Sequence, residues 1–110
     1  MIRIAEATPK YKPGQLVCHK RYGYRGVIVA ADPYCKANDD WYRSNRTQPN
    51  RFQPWYHVLV DGANTATYPA EENLEEDPVG LPIEHPAIDV YFTEFKDGRY
   101  VRNNAPWEDW

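Results

Sequence analysis

The segment Trp55-Tyr56-His57-Val58-Leu59-Val60 has the strongest β-strand character in this sequence. It is rich in β-branched and aromatic residues, which favour the pleated, half-buried surface of a sheet. Asp61-Gly62 follows directly and is a dipeptide typical of tight hairpin turns. Thr65-Ala66-Thr67-Tyr68 then returns as a second β-prone run. The sequence therefore predicts a β-hairpin at the centre of a mostly β domain.

Two further strands are predicted on the N-terminal side of this hairpin. Lys12-Pro13-Gly14 is a turn signal, and Gln15 to His19 after it alternates sides in the manner of a short strand. Val27 to Ala31 is a continuous apolar run of strand length, which indicates burial on both faces. Asp32-Pro33 ends it, because proline restricts the residue before it and lacks an N–H donor. The basic, aromatic residues 20–26 between the strands predict a hairpin loop.

The polar stretch from Tyr34 to Pro54 is too long for a simple connection, which indicates a functional or partly disordered loop. Asn38 or Asp39 is placed to cap a short helix through Trp41 and Tyr42, whose rings would pin the loop to the sheet.

Downstream of the hairpin, Glu71 to Leu74 predicts a single turn with Leu74 in the core, and residues 75–84 predict an acidic loop. Pro86 suits the first position of a helix that Asp97-Gly98 ends. Four apolar residues on that helix share one face at i, i+3, i+4 and i+7, which predicts core packing: Ile88, Tyr91, Phe92 and Phe95. Tyr100-Val101 predicts a last strand.

The chain's 110 residues fit one domain, and aromatic residues at 15% predict an aromatic core. Ten Pro and six Gly make long helices unfavourable. We expect an N-terminal arm over 1–10, the domain over 11–102 and a C-terminal tail over 103–110. About five strands and one short helix indicate a bent sheet or partly open barrel.

Several classes of protein are excluded by what the sequence lacks. It has no apolar run of membrane-spanning length and no signal-peptide pattern, so we expect a cytoplasmic protein without membrane contact. Cys18 and Cys35 are too few for a disulfide framework and show no zinc-ligand spacing, so we expect reduced thiols, no metal and no cofactor. No nucleophile, phosphate-loop or metalloprotease motif occurs, and we expect no catalytic residues and no enzyme activity. His19, His57 and His85 adjoin apolar segments, where a half-buried, hydrogen-bonded structural histidine is the ordinary case.

The net charge of −3 conceals a strong asymmetry along the chain. Residues 1–57 carry ten Lys or Arg against four Asp or Glu, and residues 58–110 carry three against twelve. Such asymmetry favours a polyanion-binding face, unless the two halves interleave and the charges mix. Cations attract phosphates, and aromatic rings stack on bases. The candidate nucleic-acid-binding residues are Lys20, Arg21, Tyr22, Tyr24, Arg25, Lys36, Trp41, Arg43, Arg46 and Arg51.

The order of several segments resembles one known family. Residues 14–28 (Gly14 to Ile28), Asp32-Pro33 and Trp41 begin the resemblance. It continues through residues 53–60 and 68–74, and it closes with Ile83-Glu84-His85-Pro86 and Tyr91-Phe92. The matching segments span about residues 11–100 and resemble the YccV-like family, also called the heat-shock protein Q family.

The resemblance implies a small SH3-like barrel and binding of hemimethylated DNA. It also implies a stress-response setting and a link to protein turnover, because the domain occurs both in free-standing bacterial proteins and at the end of F-box proteins. Residues 43–52 and the tail after Tyr100 look closer to the F-box-linked branch, whereas the initial Met and the absence of an F-box favour a free-standing protein. The leading hypothesis is a DNA-binding module. The alternatives are an adaptor that delivers proteins to a protease or quality-control system, and a small-ligand pocket between aromatic rings.

Overall fold

The computed structural model describes residues 8–108, and these form a mostly β domain with two antiparallel sheets. The strands are β1 (Leu16–His19), β2 (Arg25–Asp32), β3 (Trp55–Val60), β4 (Ala66–Thr67), β5 (Leu74–Glu76), β6 (Phe92–Lys96) and β7 (Arg99–Arg102). Helix α1 spans Asp39–Ser44, a 3-10 turn spans Glu71–Asn73, and α2 spans Ile88–Tyr91. Within the described range, no helix has the length and apolar character needed to cross a membrane.

The first sheet has the order β4-β3-β2-β1-β5 and the second pairs β6 with β7. Because β4 and β5 stand at opposite edges, the first sheet is open. The predicted mostly β class is confirmed, but the described residues form seven strands and two short α-helices where about five strands and one helix were expected. The arrangement is not a closed barrel.

The long pair β2–β3 forms the centre of the first sheet. Val27 lies opposite Leu59 and Ile28 opposite Val58, and all four side chains are buried. Gly26 permits this close approach, because a Cβ there would lie 2.4 Å from Val58 Cγ1. The burial predicted for this apolar run is confirmed for residues 27–29.

The predicted turn at Glu71 and the burial of Leu74 are confirmed, but the expected loop over residues 75–84 is wrong at its start. Leu74, Glu75 and Glu76 form β5, in which Glu75 pairs with Cys18 of β1. Both glutamates are exposed on this edge strand. Charged side chains on an edge are a common protection against aggregation, and they hide the strand from pattern analysis.

The helix predicted from Pro86 to Asp97 is also wrong for most of its length. Only Ile88–Tyr91 is helical, and residues 92–96 form β6, which turns through Asp97 (φ 54°) and Gly98 (φ 80°) into β7. Two successive positive φ values are the signature of a type I′ hairpin turn, for which Asp-Gly is a preferred sequence. The turn at Asp97-Gly98 and the pairing of β6 with β7 therefore outweigh the helical spacing of the apolar residues.

The predicted packing of the apolar stripe is nevertheless confirmed. Tyr91 and Phe92 are buried, and Ile88 and Phe95 pack partly buried against the same cluster. That cluster also contains Leu16, Val27, Leu59, Ile83 and Tyr100, which come from both sheets. The second sheet therefore shares a core with the first.

Gly14 joins the two sheets through its backbone. Its N–H donates to Ile28 O and its carbonyl accepts from Tyr100 N–H, both at 2.8 Å. A Cβ at Gly14 would lie 2.1 Å from Tyr100 O, and φ is +95°. Only glycine satisfies both conditions.

Candidate functional site

A groove of about 730 Å³ runs beside β3 and β4, bordered by the β1–β2 loop, by the segment after α1 and by the C-terminal residues. Its volume lies in the range of ordinary ligand sites. Rings supply much of its lining: His19, Tyr22, Tyr24, Trp41, Trp55, His57, Tyr68, His85, Tyr91 and Trp107.

Five of these rings form a continuous run with His57 near its middle. The ring centroid of His57 lies 4.4 Å from that of Tyr68 and 5.0 Å from that of Trp107. Tyr68 lies 5.6 Å from Trp41, and Trp107 lies 5.6 Å from Tyr91. The groove therefore has a rigid aromatic floor, because its rings are fixed against one another.

His57 also belongs to a polar network under this floor. Its Nε2 lies 3.4 Å from Asp32 Oδ2, which also accepts a 2.6 Å hydrogen bond from the Tyr68 hydroxyl. Burial lowers the pKa of His57, although Asp32 opposes that shift. Burial and the bond to Asp32 raise the pKa of Tyr68. His57 is therefore neutral at pH 7, and the contacts of Asp32 with His57 and Tyr68 fix the orientations of these two rings.

His19 organises the basic loop at the other side of the groove. Its Nδ1 accepts hydrogen bonds from the backbone N–H of Arg21 (3.1 Å) and of Tyr22 (3.0 Å). Its ring stacks on Tyr22 at 4.6 Å. Burial, together with the charge of Arg21, lowers the pKa of His19 and keeps it a neutral acceptor. The imidazole therefore fixes the backbone of the loop, while Tyr22 remains 51% exposed.

His85 completes the set of three predicted structural histidines. Its Nε2 donates to Thr65 O at 2.9 Å and its Nδ1 accepts from Ala87 N–H at 3.0 Å. His19 and His57 are buried and His85 is half-buried. In residues 8–108, no three His, Cys, Asp or Glu side chains come together as metal ligands, and Cys18 and Cys35 are free thiols.

The comparison with known proteins decides the family. The family model described as "Hemimethylated DNA-binding protein YccV like" matches residues 9–99. This chain belongs to the YccV-like family. The proteins named F-box only protein 21 from Pongo abelii, Homo sapiens and Mus musculus are each 38% identical to it over 96 residues. That alignment covers 84% of this chain but only 15% of each relative.

Three of the cations predicted to bind nucleic acid are engaged within the YccV-like domain itself. Arg25 donates to Asp77 Oδ2 at 3.0 and 2.8 Å and lies 3.4 Å from Asp61. Lys36 lies 3.8 Å from Asp32. Arg51 is the third of these cations. It pairs with Asp39 at 2.8 Å, donates to Ala37 O and lies over the Tyr42 ring.

The other four predicted cations of the YccV-like domain point to solvent. Lys20, Arg21, Arg43 and Arg46 are exposed, and none forms an ion pair with a carboxylate of the described residues. Arg46 lines the groove, and Arg21 lies 5.9 Å from the ring centroid of Tyr22, which also lines it. These four residues are the rim cations.

The predicted aromatic residues meet at the groove in different states. Tyr24 is half-buried and shares a 2.7 Å hydrogen bond with Thr67, and Trp41 packs half-buried against Tyr68. Tyr22 alone of the predicted aromatics is largely exposed. Thus Tyr22, Tyr24, Trp41 and Arg46 are brought together in one groove.

Sequence reasoning missed the residues at the C-terminal end of the groove, namely His57, Tyr91 and Trp107. The sequence predicts His57 as a half-buried structural histidine, Tyr91 as a core residue and Trp107 as part of the C-terminal tail. The Pro106-Trp107 pair was the available signal, because an aromatic residue in a polar tail needs a docking place.

Folding brings segments of the basic half and of the acidic half of the sequence together. The pairing of β5 with β1 places Glu75 beside Cys18, and the Lys20 N–H donates to Asn73 O. Asp77, from the acidic half, pairs with Arg25 from the basic half. The charges therefore mix at this edge of the sheet, as the alternative interpretation predicted.

Proposed function

We propose that this YccV-like domain is a DNA-binding module without catalytic activity, and that its rim cations contact the phosphates. Family membership supports DNA binding in general. The observation that carries the site assignment is the exposure of four cations: Lys20 and Arg21 on the β1–β2 loop, Arg43 in α1, and Arg46 in the segment after α1, which borders the groove together with that loop. Cations without an internal carboxylate partner are the ones available to replace DNA counterions.

Binding through four rim cations is expected to be weak and sensitive to salt. Each neutralised phosphate contributes about −0.9 to the slope of log K against log salt, so four contacts give roughly −4. The net charge of −3 opposes association with a polyanion. The ion pairs of Arg25, Lys36 and Arg51 remove three cations from the binding set.

The finer proposal is a preference for hemimethylated duplexes. It requires an apolar contact that registers one methyl group in the major groove. Tyr22 is suited to that contact, because its exposed ring adjoins Arg21. Burying one methyl group is worth about 0.8 kcal/mol, so we expect less than a tenfold preference.

The test is a titration of matched unmethylated, hemimethylated and fully methylated duplexes at two salt concentrations. Replacing Lys20, Arg21 and Arg46 together by Ala should make the slope shallower by about 2.7, since three phosphate contacts are lost. The matched control replaces Lys96, Arg99 and Arg102, three exposed cations of the second sheet. It should leave the slope unchanged.

Absence of binding at low salt would overturn DNA binding for this chain. An equal loss in both triple variants would overturn the rim assignment. Equal affinity for the three duplexes would exclude the hemimethyl preference and would leave the proposal of a DNA-binding module standing.

The second candidate is a cytoplasmic protein-interaction adaptor in proteolysis or protein quality control. Two observations favour it. The acidic β5 lies directly beside β1, which makes this surface mixed in charge and less suited to a polyanion. The relatives carry the name F-box only protein 21, which hints at protein interaction. Capture of a protein partner that survives removal of the rim cations would distinguish it from the DNA module.

A further inference from the structure

The groove beside β3 and β4 has few charged residues, although the chain is rich in them. Among the described residues that line the groove, Arg46 is the only Lys or Arg, and there is no Asp or Glu. The chain as a whole has sixteen Asp or Glu against thirteen Lys or Arg. Asp32 lies outside this lining, and its carboxylate is contacted by Lys36 and by the Tyr68 hydroxyl. The groove therefore suits a neutral or negatively charged ligand.

Three asparagine side chains in the lining are available to a ligand. Asn45 follows α1, Asn64 lies in the turn between β3 and β4, and Asn73 ends the 3-10 turn. None of these amides has a side-chain hydrogen bond to another described residue. Elsewhere the asparagine amides accept hydrogen bonds from the backbone, as at Asn38 and Asn50. An amide offers both donors and an acceptor, and it can therefore pair with the edge of a nucleobase.

An exposed aromatic ring and two exposed cations belong to the same groove or adjoin it. Tyr22 lines the groove, is 51% exposed and stacks on the ring of His19 at 4.6 Å, so its ring is supported and still accessible. Arg21 lies 5.9 Å from the Tyr22 ring centroid, and Arg46 lines the groove from the segment after α1. Proteins bind unpaired nucleotides with this combination, in which rings stack on the bases and cations contact the phosphates.

We propose that the groove binds one unpaired base of DNA, while the rim cations contact the phosphates next to it. The inference rests on the DNA-binding function proposed above and names a site for a base within it. A base in a perfect duplex must leave the helix before its face can stack on Tyr22, and this costs free energy. DNA that already contains an unpaired base avoids that cost. The contact with a methyl group that is proposed above for Tyr22 needs no unpaired base, so the two roles of this ring are separable.

A cationic ligand fits the groove less well. Aromatic rings also bind quaternary ammonium groups through their π faces. However, the described part of the lining provides no carboxylate, and Arg46 repels a cation. The charge of the lining therefore favours a ligand that carries phosphate.

The experiment compares three fluorescein-labelled duplexes of otherwise identical sequence: a perfect duplex, a duplex with one bulged thymidine and a duplex with one bulged abasic nucleotide. The two bulged duplexes have the same number of phosphates and differ only in the base. Fluorescence anisotropy measures their affinities for the full chain at two salt concentrations. We expect the thymidine bulge to bind at least about fivefold more tightly than the abasic bulge, the lower end of what stacking of one base contributes. This ratio should be the same at both salt concentrations, because stacking releases no counterions.

Variants of two tyrosines test the position of the base. Tyr22→Ala should reduce the ratio to less than about twofold because the stacking ring is removed, and Tyr22→Phe should keep it. The matched control is Tyr34→Ala, which should keep the full ratio. Tyr34 is 42% exposed and lies outside the groove, and Lys36 Nζ lies 5.7 Å from its ring centroid, much as Arg21 lies beside Tyr22. Urea unfolding checks that the variants are folded.

Equal affinity for the two bulged duplexes would overturn the base site, and binding of the perfect duplex in the same titration would leave the DNA-binding module intact. Absence of binding to all three duplexes at low salt would overturn both proposals. An unchanged ratio in Tyr22→Ala, or an equal fall in Tyr22→Ala and Tyr34→Ala, would overturn the assignment to the groove. If Tyr22→Ala does not fold, NMR of the original chain replaces it. The thymidine bulge should shift the backbone signals of Asn64 and Thr67 more than the abasic bulge does, and equal shifts would overturn the proposal.

Discussion

Neutralising Arg25 and neutralising Arg21 should have opposite consequences, although the two residues lie in the same part of the sequence. Arg25 is bound to Asp77 and Asp61, whereas Arg21 is an exposed rim cation. We expect Arg25→Gln to destabilise the fold and leave the salt dependence of DNA binding unchanged. We expect Arg21→Gln to do the reverse.

The size of the Arg25 effect follows from the surroundings of Asp77. The Asp77 side chain is 1% exposed. In Arg25→Gln it keeps bonds of 3.2 Å from the Val79 and Gly80 N–H groups but loses those of 3.0 and 2.8 Å from the guanidinium. Losing hydrogen bonds to a charged group costs about 1.5–3 kcal/mol, and we expect about 2 because the two backbone bonds remain and residues 78–80 beside Asp77 are exposed to water. An exposed substitution such as Arg21→Gln changes stability by less than about 0.5 kcal/mol.

The effect of Arg25→Gln should also depend on pH. Burial alone would raise the pKa of Asp77, but the hydrogen bonds from Arg25 and from two backbone N–H groups outweigh it and lower the pKa. A lowered folded-state pKa stabilises the fold above the unfolded pKa of about 3.9, and this contribution is lost as the pH falls through the folded pKa. The stability difference between the original chain and Arg25→Gln should therefore shrink from pH 7 to pH 3.

Urea unfolding at both pH values measures the stability, and DNA titration at two salt concentrations measures the slope. Arg21→Gln should make that slope shallower by about 0.9. The control Glu94→Gln removes one exposed charge from β6 and should leave both quantities unchanged. A loss below about 1 kcal/mol for Arg25→Gln, together with a shallower salt slope, would refute the assignment of Arg25 to the fold.

Two further substitutions test the core and the joint between the sheets. Phe92→Ala should cost about 3–5 kcal/mol because this ring is buried, whereas Phe52→Ala should cost less than about 0.5 because that ring is exposed; comparable urea midpoints would contradict this. Gly98→Ala should cost about 1 kcal/mol for its positive φ alone, while Gly14→Ala should cost more than about 3 because its Cβ also meets Tyr100 O. Equal losses of stability for the two glycine variants in guanidinium unfolding would show that the backbone contact between Gly14 and Tyr100 adjusts to the added methyl group.

The strands and turns of the first sheet were mostly predictable, because each carries a local signal. The apolar run before Asp32-Pro33, the segment Trp55–Val60 and the cap at Asn38 all have the predicted structure. Asn38 Oδ1 accepts from Trp41 N–H at 2.8 Å, as expected of an N-cap. These elements depend on propensity and hydrogen bonding over a few residues.

Tyr100-Val101 lies in β7 as predicted, but β6 was missed because its apolar residues have a helical spacing. The register shift between Phe92 and Glu94 allows a strand to bring Phe92 and Phe95, three positions apart, to the same core. Ile88, Tyr91, Phe92 and Phe95 lie on one face of a helix, yet Phe92 and Phe95 also pack on the core from β6. The choice depends on Tyr100, whose hydroxyl donates to Ile83 O and accepts from Ile83 N–H. Contacts between residues 17 positions apart are invisible to a local pattern.

The residues of the candidate site also divide into those that a local sequence pattern predicts and those that depend on distant partners. Exposure of Lys20 and Arg21 follows from their place in a hairpin loop, which the sequence shows. The engagement of Arg25 does not, because its partner Asp77 lies 52 residues away. The groove is likewise built from distant segments, with Tyr22, His57 and Trp107 on one lining.

The antiparallel order of the first sheet explains why a chain divided into a basic and an acidic half does not fold into a polarised molecule. The turn at Glu71–Asn73 returns the acidic half to the free edge of β1, next to the basic loop. Asp77 then follows β5 and captures the cation that begins β2. A phosphate-binding face must therefore be formed by the cations that pair with no carboxylate of the described residues. Those are the four rim cations, with Lys20 and Arg21 on the β1–β2 loop and Arg43 and Arg46 in and just after α1, two segments that border the same groove.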